Sequence, residues 1–101
     1  MRVMVLFDLP VTTSAERKDY AAFRKFLLRS GFVMMQESVY TKIVLHPTGA
    51  VAVIRKIRDA RPPAGLVQVL TVTEKQFAGI EVIVGSTQTE VVDSDERLVV
   101  L

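Results

Sequence analysis

Residues 3–10 read VMVLFDLP, an apolar run that closes on Asp8 before a proline. A carboxylate in that place can hold a divalent cation, and Mg²⁺ typically takes one or two carboxylates and keeps its other ligands as water. Water held that way can be activated towards a phosphodiester. The same aspartate is also what a strand end entering water requires, with Pro10 starting the loop. The residue alone leaves both readings open. The second chemical feature is cationic. Arg17, Lys18, Arg24, Lys25 and Arg29 recur along one segment, and Arg55, Lys56 and Arg58, with Arg61 just beyond, along another. At 100° per residue the first five occupy one arc of about 140° on a helix. Acids do not intersperse along that arc as they do on a helix laced with ion pairs. Such a field suits the phosphates of a nucleic acid, although a solvated helix face has the same composition.

Other chemistries find little support. There are no cysteines, which removes disulfides, thiolate zinc sites and cysteine nucleophiles together. His46 is the lone histidine, so one chain cannot build a multi-histidine metal site, and nothing else recommends a serine triad around it. The segment HPTGA does not match a glycine-rich phosphate loop. With no aromatic platform interleaved among the basic residues, contact with phosphates is favoured over base reading. No apolar run approaches the roughly 20 residues that span a bilayer, and the N-terminus lacks the features of a signal peptide. The expectation is a cytoplasmic protein without membrane association.

At 101 residues the chain is one domain by size. Its net charge of +2 hides an asymmetry: residues 1–73 hold eleven Lys/Arg against five acids, and residues 74–101 hold two against six. A basic body with an acidic tail points to a polyanionic partner for the body alone.

The elements that must position these groups follow from periodicity. A first strand spans about 2–9. Thr13 and Glu16 have capping-box spacing and open a helix that runs to about Ser30, with Gly31 ending it in the left-handed conformation. Tyr20, Phe23, Phe26 and Leu27 share one arc of that helix, opposite the cations. FVMMQESVYTKIVL (32–45) has the composition of a long second strand with a possible bulge at QES. A second helix over 49–60 turns Ala50, Val53, Ile54 and Ile57 inward, and RPPAG stops it. LVQVLTV (66–72) and GIEVIVG (79–85) read as two further strands. The expected fold is α+β: a ferredoxin-like βαββαβ sandwich over 1–85, followed by a tail, 86–101, ending in apolar RLVVL.

One face of that sheet should be polar if it meets water, yet the first strand is apolar on both faces, and so is the strand at 66–72. The simplest cover is a second copy, sheet against sheet across a two-fold axis. Asp8 shares a face with Met4 and Leu6. In such a homodimer two Asp8 carboxylates can approach each other, and a divalent cation relieves their repulsion.

With these residues laid out, the chain resembles the CRISPR-associated protein 2 family, closest to the version found beside type II systems. The likeness covers residues 1 to about 85. It is carried by VLFDLP, by the helix start ERKDY, and by GFVMMQESVYTKI with its spacing Gly31, Gln36, Ser38, Val39, Tyr40. The resemblance implies a ferredoxin-like homodimer that bridges dimers of the CRISPR integrase and binds double-stranded DNA without sequence preference during spacer acquisition. It also implies Mg²⁺ held between protomers by Asp8 as the catalytic and metal-binding residue of an endonuclease acting on DNA or RNA. Basic residues of the first helix would grip the duplex, here Arg17, Lys18, Arg24 and Lys25. The C-terminal segment would engage the integrase or the other protomer's sheet. Two functions compete on this reading, a DNA-bridging scaffold and a metal-dependent endonuclease acting alone. A small-molecule sensor of the same fold would leave the basic helix face idle.

Overall fold

The structure, a computed structural model, describes residues 1–86. The C-terminal tail from residue 87 onward, RLVVL included, lies outside the described residues. Four strands, β1 (Arg2–Asp8), β2 (Val33–Gln36), β3 (Val39–Ile43) and β4 (Leu66–Val72), form one antiparallel sheet in the order β2-β3-β1-β4. Helices α1 (Ser14–Arg29) and α2 (Pro47–Asp59) cover one face, and a short α3 (Glu74–Ala78) follows β4. From β1 to β4 the order is βαββαβ, as the ferredoxin-like reading expects.

Alternation on β1 decides the layering. Val3, Val5 and Phe7 are buried towards the helices, against Phe23 and Leu27 of α1, Ala50 and Ile57 of α2, and Tyr40 of β3. Phe7 centres an aromatic cluster, edge-on to Phe23 and Tyr20 and stacked on Tyr40. Arg2, Met4, Leu6 and Asp8 point to the other face.

Both ends of α1 are closed by the expected chemistry. Thr13 Oγ1 accepts from the Glu16 amide at 3.1 Å, and a Glu16 carboxylate oxygen accepts from the Thr13 and Thr12 amides, each at 2.9 Å. At the other end Gly31, with φ +91°, lets the Phe32 amide reach Leu27 O (3.0 Å) and its own amide reach Leu28 O (3.1 Å), the paired bonds of a Schellman ending. Lys42 Nζ donates to Ser30 O, placing a cation at the negative end of the helix. The start of α2 is less complete. His46 is its N-cap residue and makes no side-chain cap bond. His46→Asp should therefore add about 1 kcal/mol of stability, read as a rise in Tm of about 4–8 °C for a domain of this size. An unchanged or lowered Tm would count against this account of the helix start.

Two expectations are corrected. Residues 32–45 do not form one long strand. They turn at Glu37–Ser38 into the β2–β3 hairpin, with a register shift at Met34–Gln36, because the polar QES stretch turns the chain where a bulge was expected. The hairpin supplies the extra strand that the βαββαβ order needs before α2. Residues 79–85 form no strand, although their apolar alternation invited one. Ile80, Val82, Ile83 and Val84 are exposed, and no edge of this chain's own sheet pairs with them. Sequence reading also missed α3. Its capping box, Thr73 with Gln76, is the signal that marks it. Arg2 anchors this helix, with Nη2 2.7 Å from Glu74 Oε1, Nε 3.0 Å from Oε2, and its guanidinium 3.9 Å from the Phe77 ring centre. Hydrogen bonding to Arg2 holds the Glu74 carboxyl below the ordinary carboxylate range and raises Arg2 in turn. The contact is thus intact at neutral pH and is lost only as pH falls through that depressed value.

Candidate metal and nucleic-acid site

Asp8 ends β1 on the sheet face away from the helices and is exposed. Among the described residues its carboxylate has no ion-pair or hydrogen-bond partner. Its backbone is held in place by β4, where Asp8 pairs with Leu66. One residue earlier, Gly65 sits at φ +97°, and a Cβ there would lie 2.7 Å from Asp8 O and 2.7 Å from Leu9 Cδ2. Only glycine permits both the backbone angle and the close approach. Sequence reading took RPPAG as a helix stop. It did not foresee that the glycine of that motif seats the end of β1, because a close approach between segments nearly 60 residues apart leaves no local mark.

Around Asp8 the sheet face is apolar. Register places Met4 beside Leu70 and Thr41, and Leu6 beside Gln68 and Val39. Leu66 beside Asp8 and Leu70 further along β4 are each 54% exposed, and Ile43 and Val33, on the same face towards the other end and far edge of the sheet, are also exposed. An open face of this kind on a sheet signals a surface built to be covered.

No group of three or more acids and histidines that could hold a metal gathers among the described residues. At the end of β1 the sequence places one carboxylate, Asp8, and no cluster of three ligands forms around it among the described residues. That set is incomplete for Mg²⁺ alone, and two copies facing across the apolar surface would supply the one or two carboxylates the ion takes with water. His46 cannot serve there. It follows β3 beyond Ile43, which pairs with Arg2, so it lies at the other end of β1, about 20 Å from Asp8.

The opposite layer is cationic. Arg17, Lys18, Arg24, Lys25 and Arg29 on α1, and Arg55, Lys56 and Arg58 on α2, are all exposed. The only ion pair among the described residues is Arg2–Glu74, so none of these eight is neutralised by a neighbouring acid. Glu16 is spent on the helix cap. Arg17 is partly engaged, its Nη1 donating to Thr12 O at 2.9 Å and Val11 O at 3.3 Å. Tyr40, central to the sequence spacing noted above, lies wholly in the core with its hydroxyl unpartnered; it packs and does not face either surface. No helix of the described residues is long and apolar enough to cross a membrane.

Residues 1–80 match the family model described as CRISPR associated protein Cas2. The chain is 54% identical over 101 residues to the CRISPR-associated endoribonuclease Cas2 of Treponema denticola, covering all of both chains. It is 46% identical over 101 residues to the protein of the same name from Streptococcus mutans, covering all of this chain and 93% of that relative. Among solved structures, that of Streptococcus pyogenes Cas2 at pH 6.5 matches with a TM-score of 0.62, covering 82% of this chain and 99% of that one. At 18% identity this last likeness speaks for the fold.

Proposed function

The chain belongs to the Cas2 family of CRISPR-associated proteins, and from that premise we propose that it acts as a homodimer, sheet against sheet, binding double-stranded DNA on its helical layers and joining integrase dimers during spacer acquisition. The observation that carries this reading is the two-sidedness of the fold. Away from the Arg2–α3 contact one face of the sheet exposes apolar side chains, while the far side of the helices carries eight cations with no acid paired to them among the described residues. A second copy on the open face leaves both cationic layers outward, doubling the field available to a duplex. The exposed apolar alternation of residues 79–85, with no strand partner among the described residues, suits a segment that docks on another chain's sheet edge. The tail beyond it is assigned the same partner-binding role.

Affinity on this reading comes from counterion release and is independent of base sequence. Replacing Lys18, Arg24 and Lys25 together by alanine should reduce the slope of log K against log salt by about 3 per protomer. The check is fluorescence anisotropy with two duplexes of unrelated sequence over a range of NaCl. A slope that does not move, or a loss confined to one duplex, would overturn the assignment of these residues to the phosphate backbone. Integrase docking is tested by light scattering on the protein mixed with the integrase of its own locus and a short duplex. A dimer that ignores both removes the scaffold.

The second reading, an endonuclease, is favoured by the relatives' name and by the exposed, unpartnered Asp8. Two Asp8 carboxylates meeting across the dimer would hold Mg²⁺, which supplies an activated water and neutralises charge on the scissile phosphate. The surrounding Leu66, Leu6 and Met4 would limit water around the paired acids and strengthen their hold on the cation.

A further inference from the structure

Helices α1 and α2 do not close completely over the sheet. Between the end of α1 and the middle of α2 lies a groove of about 200 Å³. Arg29, Lys42 and Lys56 stand around it, and no acid lines it among the described residues. Its apolar lining includes the half-buried Phe26 and Val53. Sequence reading placed aromatic and basic residues on opposite arcs of α1. The fold brings them together because Phe26 and Arg29, three residues apart, are only about 60° apart around the helix.

We propose that this groove takes one unpaired nucleotide of a nucleic-acid strand, its base against Phe26 and Val53 and its phosphate on Arg29 and Lys56. Three cations without a counter-acid select an anion. An apolar lining that includes the rings of Phe26 and Phe32 favours a body with a π-face. The negative end of α1 would repel a phosphate, but Lys42 Nζ already caps Ser30 O there and offsets it. The Ser30 hydroxyl, also on the wall, is free to meet a polar edge of the base. A base within a duplex stack cannot enter, so the groove recognises single-stranded positions while the wider cationic layer takes duplex backbone. The inference rests on the nucleic-acid reading above only in its choice of strand as the source of the nucleotide.

The test uses the full chain with two probes: a short oligodeoxynucleotide carrying one 2-aminopurine, and the blunt duplex of the same sequence. Ala52 is exposed on α2 at the groove wall, so Ala52→Leu fills the slot without altering charge or core. The single strand should change its 2-aminopurine emission on binding, and Ala52→Leu should abolish that change and weaken strand binding about fivefold or more. Binding of the blunt duplex should be unaltered by Ala52→Leu. Lys56→Ala should weaken both probes. A 2-aminopurine signal that is absent, or that survives Ala52→Leu, overturns the groove and leaves duplex binding standing. A strand bound with the expected signal beside a duplex that is not bound supports the groove and overturns the duplex reading instead.

Discussion

A single Leu70→Asp substitution is expected to leave the chain folded and to make it monomeric. Leu70 lies on β4 directly beside Met4 of β1, in the middle of the open sheet face, and is 54% exposed within one chain. A carboxylate there meets water in the monomer, so folding should be little affected. In a sheet-to-sheet dimer the same group is buried once from each copy, in apolar surroundings and without a cation to pair with. Burying unpaired charge in this way costs several kcal/mol, and the dimer dissociation constant should rise by about a hundredfold or more. Sedimentation equilibrium or light scattering across a concentration series reads it directly. Leu28→Asp is the control: it makes the same change on the exposed side of α1 and should leave the dimer intact. A Leu70→Asp protein that remains dimeric would place the interface elsewhere and remove the reason for bringing two Asp8 residues together. A monomer would also be expected to lose avidity for long duplexes, since one cationic layer replaces two.

The layering behind that expectation is legible in the sequence alone. Val3, Val5 and Phe7 alternate with Met4, Leu6 and Asp8, and period two assigns them to opposite faces. The capping box at Thr13 and Glu16 and the left-handed Gly31 are equally plain, because local backbone chemistry fixes both. What local pattern cannot settle is whether an apolar run finds a pairing edge. Residues 32–45 and 79–85 both have strand composition, yet the first folds back on itself as a hairpin and the second pairs with nothing among the described residues. Strand propensity describes fit to a half-buried surface, and the surface is set by tertiary context. The same holds at the candidate sites. Asp8 can be singled out from sequence, whereas Gly65 behind it, and Lys42 at the helix end, are brought to their places by contacts between distant segments.

Gly65 separates the fold of the site from its chemistry. Gly65→Ala forces an L-residue to φ +97° and sets its Cβ 2.7 Å from Asp8 O, a backbone atom held in the β1–β4 ladder. Strain and overlap together should cost about 2–4 kcal/mol, a fall in Tm of about 10–20 °C. Because the ladder ends at Asp8 and Leu66, relief of the clash parts the end of β1 from the start of β4, and the backbone that seats the carboxylate loses its support. Asp8→Asn is the complement. That side chain is exposed and makes no ion pair or hydrogen bond among the described residues, so its loss of charge should change stability by no more than about 0.5 kcal/mol. Without a metal, removing two like charges that face each other should even tighten the dimer. If the pair holds Mg²⁺, the ion should raise Tm of the wild-type protein, should fail to do so in Asp8→Asn, and should do so only at higher concentration in Gly65→Ala. Cleavage of a labelled RNA or DNA substrate should fall about a hundredfold or more in Asp8→Asn, since an amide cannot replace the anionic ligand. Wild-type cleavage by Asp8→Asn would remove Asp8 from the chemistry. A magnesium-induced rise in Tm that persists in the same variant would place the cation away from the two-fold axis. Loss of the response in Asp8→Asn, with its fold unchanged, would leave the carboxylate at the end of β1 as the metal ligand and Gly65 as the residue that holds it there.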